Sequence, residues 1–219
     1  CFAMSCHQRV LIVVSHPLGG IRNYLLYNMP FLGASGYNFT FLAPKGEAFD
    51  SFKNDTRDWD SVEFIEAPIN NRRPSLPRAI RRTLRNDEYA LMHSQGLKAG
   101  TEAELARMGM SVPHVMTLHD VILPRQNDIP GRLKWLKRHV ISWLMSGTDV
   151  VIPVSHDCAA NHLSLFPRWK RGKCRVEVIP NGINVAHLVA SAAAAQNQRG
   201  LRKELGLSDD VVVAGFFGR

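Results

Sequence analysis

RVLIVVSHPLGGIRNYLL, residues 9–26, passes from an unbroken apolar run, through a short polar turn with two adjacent glycines, into a segment with apolar residues at helical spacing. A run this rich in β-branched residues reads as a strand covered on both faces, the usual state of a parallel strand. Gly19 and Gly20 fall where the helix should begin. Either the turn demands a positive φ, which glycine adopts without strain, or a ligand approaches the backbone there. The amides of a helix's first turn lack partners and carry partial positive charge, so a phosphate or a sugar hydroxyl suits that position. The spacing is not G-x-G-x-x-G, which weakens a dinucleotide-binding reading.

The same alternation continues along the chain. Strands are expected at 9–14, 37–42, 62–66, 89–93, 114–118, 149–153 and 175–179, and helices at 20–32, 77–86, 98–108, 131–146 and 156–165. Right-handed crossovers then give an α/β, doubly wound, mostly parallel sheet with helices on both faces. Residues 1–8 read as an N-terminal extension or an artificial remnant, with Met4 a candidate native start. Residues 9–183 form the main domain and 184–199 a small-residue-rich interdomain linker. A second domain is expected to begin near Gly200, with a short helix LRKELGL and a strand VVVAGFF that ends at Gly218-Arg219.

The chain has 219 residues, 45% hydrophobic and 21% charged, the balance of a globular protein with a sizeable core. No apolar run approaches the roughly 20 residues that span a bilayer, and no signal-peptide pattern opens the chain, so a cytoplasmic location is expected. Cys1, Cys6, Cys158 and Cys174 form no C-x-x-C pair and no zinc-like spacing, which favours reduced thiols and no metal site. The net charge of +8 gathers in NNRRPSLPRAIRRTLRN, GRLKWLKRH and PRWKRGKCR and points to an anionic partner.

In an open parallel sheet, ligands collect beyond the carboxyl ends of the strands. His16 follows the first strand there, and His119 and Asp120 end the fifth, in MTLHDV. An imidazole at that rim can exchange hydrogen bonds with a substrate hydroxyl, although a buried histidine satisfied by a carbonyl is the competing reading. Asp120 either orients that ring or caps the next segment. His93-Ser94-Gln95-Gly96 ends the fourth strand and is expected to line the same cleft, with Ser94 as a contact. Ser155 reads as a helix N-cap. There is no Gly-x-Ser-x-Gly elbow, which argues against a serine hydrolase.

In GRLKWLKRHVISWLM, Leu133, Leu136, Val140, Trp143 and Leu144 recur at helical spacing beside Lys134, Lys137, Arg138 and His139. Core packing of one face accounts for the pattern. Peripheral contact with an anionic membrane is the alternative, with Trp135 among the basic residues and a second basic surface at Arg72, Arg73, Arg78, Arg81, Arg82 and Arg85.

Taken in order, LGGIRNYL, TLHD, DVVIPVS, VIPNGIN and a strand ending FFGR resemble the N-terminal half of a GT-B glycosyltransferase of family 4, the group 1 glycosyltransferases; the resemblance spans residues 9–219. It implies a Rossmann-like acceptor-side domain facing a second domain that grips a nucleotide-diphospho-sugar. It also implies transfer with retention, without a metal or a bound cofactor, to a sugar, polysaccharide or lipid-linked acceptor. Gly19 and Gly20 would approach the donor diphosphate and the acceptor. His119 would contact the transferred sugar without acting as a general base. Asn181 and Gly182 match the interdomain element, and Arg219 the first cation on the donor diphosphate. The lysine and glutamates expected further on are not in the sequence, so the 219 residues alone are expected to lack activity. The location expected is cytoplasmic, and the basic helices tilt the reading toward a lipid-associated acceptor and peripheral contact at the inner membrane face. The alternatives are a nucleotide-sugar epimerase of GT-B fold and a basic Rossmann-like module that binds membrane or nucleic acid; the absence of an RNP-type motif speaks against specific nucleic-acid recognition.

Overall fold

The computed structural model describes residues 8–60, 62–70, 73–123, 131–170, 174–183, 185–196, 203–208 and 210–212. The chain divides into two compact units between Gly182 and Ile183. The first is built on a seven-stranded sheet, every pairing of which is parallel. Its strands are β1 (Gln8–Val14), β2 (Tyr37–Pro44), β3 (Val62–Ala67), β6 (Leu91–Gln95), β7 (His114–Leu118), β8 (Val150–Pro153) and β9 (Arg175–Val176). They lie in the order β3-β2-β1-β6-β7-β8-β9, so the order reverses at β1 and the neighbouring β6. β4 (Ile69–Asn70) and β5 (Arg73–Pro74) form a small antiparallel pair that the sequence pattern did not indicate.

β1 shows why this sheet forms. Leu11 and Val13 belong to one core and Val10, Ile12 and Val14 to the core on the opposite face, all 5% exposed or less. Full burial of each such side chain is worth about 1.5–3 kcal/mol. α1 (Gly19–Ala34) and α2 (Glu47–Asp55) cover one face, burying Leu25, Met29, Phe49 and Phe52 against Phe39 and Phe41. α3 (Leu76–Asn86) and α4 (Gly96–Arg107) cover the other through Leu76, Ile80, Ala99 and Ala103. α5 (Gly131–Met145) packs beside α4 and sends Met145 into a third cluster. There it meets Cys158 of α6 (His156–Leu165) and Trp169 of a 3₁₀ turn, Pro167–Lys170.

Several expectations need correction. The segment 44–60, to which the sequence pattern assigns neither strand nor helix, contains α2, whose two inward phenylalanines are too few to mark a helix among so many polar residues. β6 runs over Leu91–Gln95 rather than 89–93, which carries His93 and Ser94 inside the sheet. Residues 185–196, within the stretch 184–199 read as an interdomain linker, are helical, forming α7 (Val185–Gln196) in the second unit, as the high helix propensity of an alanine run favours. β9 is shorter than 175–179, yet the amides of Glu177 and Ile179 still donate to the carbonyls of Val151 and Pro153 at 2.9 and 3.1 Å. The stripe Leu136, Val140 and Trp143 on α5 is not core: each is about half exposed, and Ser142 and Met145 face inward instead. The strand VVVAGFF lies outside the described residues except for Val211 and Val212.

Candidate functional site at the carboxyl rim

β1, β6 and β7 end side by side, in register Val14↔Gln95 and Gln95↔Thr117. Beyond their carboxyl ends lies a cavity of about 230 Å³ whose lining includes Ser15, His16, Ile21, Gln95, Asp120 and His162. Two helices begin at this rim. α1 opens at Gly19, with φ +55°, and α4 at Gly96, with φ +83°. No side chain among the described residues caps the first turn of either. Their free amides therefore leave a positively polarised edge suited to an anion or to hydroxyl oxygens. α6 is different, because Ser155 Oγ accepts from the Cys158 amide at 3.1 Å, which makes Ser155 the expected cap.

Period-two alternation sends His93 and Gln95 of β6, and Thr117 with the following His119, to the face under α1. His93 Nε2 lies 2.8 Å from Thr117 Oγ1, and His119 Nε2 lies 2.8 Å from Gln95 Oε1. The Tyr24 ring meets the His119 ring edge-on at 4.9 Å between centroids. Burial pushes His119 down to about 4 despite the nearby Asp120 carboxylate, so the ring is neutral at pH 7. With its Nε2–H donating to Gln95, Nδ1 is a lone-pair acceptor. That Nδ1 and the Gln95 Nε2 donor are both buried without a partner among the described residues. Orphaned polar atoms of this kind call for an explanation, and a bound hydroxyl-rich ligand is one.

The expected site residues do not all converge. His16 and Asp120 line the cavity and are exposed, and Gly19 and Gly20 are exposed at the start of α1. Asn181 and Gly182 are exposed just past the residues paired with the carboxyl end of β8. Arg219 lies outside the described residues. Ser94 is a correction: it is fully buried on the opposite face, 2.8 Å from His114 Nε2, and lines no cleft. With β6 shifted by two residues, alternation gives the rim to Gln95, to which the sequence pattern alone assigns no role. Tyr24 was missed as well, because nothing in a helical repeat says which aromatic lies over the strand ends.

The two glycines differ in what holds them. A Cβ on Gly20 would meet nothing within 4 Å, so the first unit itself does not crowd that position. Gly19 is required by its left-handed backbone. Gly19→Ala is therefore expected to cost about 1–2 kcal/mol of stability, whereas Gly20→Ala should be neutral or stabilise by up to about 1 kcal/mol. Urea unfolding midpoints of the two variants check this.

Among the described residues no group of three or more His, Cys, Asp or Glu could hold a metal ion.

The parallel sheet with its cleft at the carboxyl rim places the protein among the GT-B-like α/β folds, and solved structures bear this out. HepE of Anabaena in complex with UDP-glucose aligns with a TM-score of 0.66 at 18% identity, over 91% of this chain and 50% of that one. A glycosyltransferase from Rickettsia africae ESF-5 aligns at 0.62 and 14% identity, over 93% and 51%. Sucrose-phosphate synthase from Thermosynechococcus elongatus aligns at 0.61 and 18% identity, over 93% and 53%. The chain thus spans about half the length of these structures. No curated protein matches the sequence significantly. Residues 18–187 match Glycosyltransferase Family 4, and the chain belongs to that family.

Proposed function

We propose that this chain is the acceptor-side half of a retaining glycosyltransferase that moves a sugar from a nucleotide-diphospho-sugar to a sugar, polysaccharide or lipid-linked acceptor. Family membership supports sugar transfer, and HepE, with the same fold over half its length, is described with UDP and UDP-glucose. The observation that carries the reading is the unpaired Gln95 Nε2 and His119 Nδ1 beside a rim with two uncapped helix starts. The cavity of about 230 Å³ falls below the roughly 300–1,000 Å³ of complete small-molecule pockets. That is the size expected if one sugar ring enters here and the rest of the donor is held by a second domain.

In this reading His119, neutral and held by Gln95 and Tyr24, contributes a hydrogen bond to the transferred sugar rather than a charge. The departing diphosphate needs fixed positive potential, because the transition state gathers negative charge on it. The starts of α1 and α4 supply part of it. Arg219 and residues beyond it supply the rest, with neither metal nor bound cofactor. The test is an enzyme carrying both halves: it should transfer sugar from a nucleotide-diphospho-sugar, and the 219-residue chain alone should not rise above a buffer blank. Turnover by the chain alone would refute the division of labour. The epimerase alternative predicts interconversion of the nucleotide-sugar with no acceptor present.

A further inference from the structure

The face of the sheet that carries α3, α4 and α5 differs from the rest of the molecule in charge. These three helices contain ten Lys and Arg, namely Arg78, Arg81, Arg82, Arg85, Lys98, Arg107, Arg132, Lys134, Lys137 and Arg138, against only Glu102 and Glu104. The difference, +8, equals the formal net charge of the entire chain. Both acids are engaged: Glu104 pairs with Arg107 at 3.0 Å, and Glu102 lies 3.7 Å from Lys98. Arg78, Arg82 and Arg85 are exposed on α3.

The same layer exposes apolar side chains. On α5, Leu136, Val140 and Trp143, spaced at i, i+4 and i+7, are 50%, 48% and 51% exposed. Trp143 also lines a groove with Met108 and Met110, which follow α4, and Met108 is itself 46% exposed. No helix among the described residues is long and apolar enough to cross a membrane. A stripe capped by a tryptophan on a helix with four basic and no acidic residues instead has the chemistry of a helix lying along a bilayer interface. The two observations, apolar exposure and the concentration of positive charge, fall on one layer.

We propose that the outer face of the α3–α4–α5 layer docks on an anionic lipid surface, with Leu136, Val140 and Trp143 entering the headgroup boundary and the arginines of α3 facing acidic headgroups. The inference is independent of the sugar-transfer reading, and its test needs no activity. The 219-residue chain is mixed with phosphatidylglycerol–phosphatidylcholine vesicles at low and physiological salt, and bound protein is read by flotation. Binding is expected to anionic vesicles, to weaken with salt as electrostatic attraction is screened, and to be near background on phosphatidylcholine alone. Leu136→Ser combined with Val140→Ser should reduce binding at least about 10-fold, and Arg82→Glu combined with Arg85→Glu should do the same, since both terms of interfacial binding are needed. All four side chains are exposed or half-exposed, so circular dichroism should be unchanged. Any of three results would overturn the proposal: no flotation at low salt, equal flotation on neutral vesicles, or flotation indifferent to the stripe. So would a dimer in solution that the Leu136→Ser/Val140→Ser protein fails to form.

Discussion

Acidification from pH 7 to pH 4 is expected to remove about 6 kcal/mol of folding stability through two histidines. His93 is buried, and burial pushes it to about 3, with His114 and His119 nearby adding to the effect; burial likewise brings His119 to about 4. Their ordinary value is 6.5. The folded state therefore keeps both rings neutral across a range in which the unfolded chain protonates them. The unfolded state binds more protons there, so stability is complete above about 6.5 and declines as pH falls toward the folded values. Each group contributes a slope of about 1.4 kcal/mol per pH unit. A single domain has only about 5–15 kcal/mol in total, so one at the lower end of that range is expected to unfold as the pH approaches about 4. His93→Gln, which retains a polar group opposite Thr117 Oγ1, should flatten the slope by about half. Urea titrations at stepped pH measure it. An unchanged slope would show that carboxylates rather than histidines govern the loss.

Glu104→Ala is expected to cost about 3–5 kcal/mol, as removal of one partner from a buried charged cluster does. Glu104 Oε1 lies 2.6 Å from His114 Nδ1, and Arg107 Nε donates to Oε2 at 3.0 Å. Burial alone would raise the Glu104 carboxyl, but His114 and Arg107 hold it below its usual value, while burial keeps His114 low against the pull of the carboxylate. The consistent state is an ionised Glu104 accepting from His114 Nδ1–H, with the Ser94 hydroxyl donating to Nε2. Arg107 further donates to the Val112 carbonyl at 2.8 Å and to that of Gly147. The cluster ties α4 to β6, β7 and the turn before β8. With Glu104 gone, the Arg107 side chain, only 12% exposed, keeps the Val112 and Gly147 carbonyls but, among the described residues, no carboxylate nearer than Asp149 at 3.4 Å. Urea midpoints give the cost, and a loss below about 1 kcal/mol would mean that water reaches the cluster and compensates.

A serine, a histidine and a carboxylate within hydrogen-bonding reach suggest a nucleophile and its base, yet Ser94 and His114 are fully buried and Glu104 nearly so. The seven parallel strands were legible because apolar, β-branched runs have few other readings. The limits of β6 were not, since Tyr89 and Ala90 continue the apolar pattern ahead of Leu91. Those two residues of slippage placed Ser94 at the rim in place of Gln95. On α5 the periodicity identified the helix correctly, but a stripe with period 3.6 says only that one face is apolar, not what covers it. Pairings such as Gln95 with His119 and Tyr24, across three elements distant in sequence, depend on strand order and the crossover, which local pattern does not contain.

The most direct test of the account compares His119→Ala with Ser94→Ala in an enzyme carrying both halves, by sugar transfer per folded molecule. His119→Ala should lower kcat/KM by about 100- to 1,000-fold, the range seen when one preorganised hydrogen-bonding group is removed from a reacting centre. Ser94→Ala should remain near the parent value. If Ser94→Ala abolished transfer while His119→Ala left it within about twofold, the carboxyl-rim cavity would not be where the sugar is transferred.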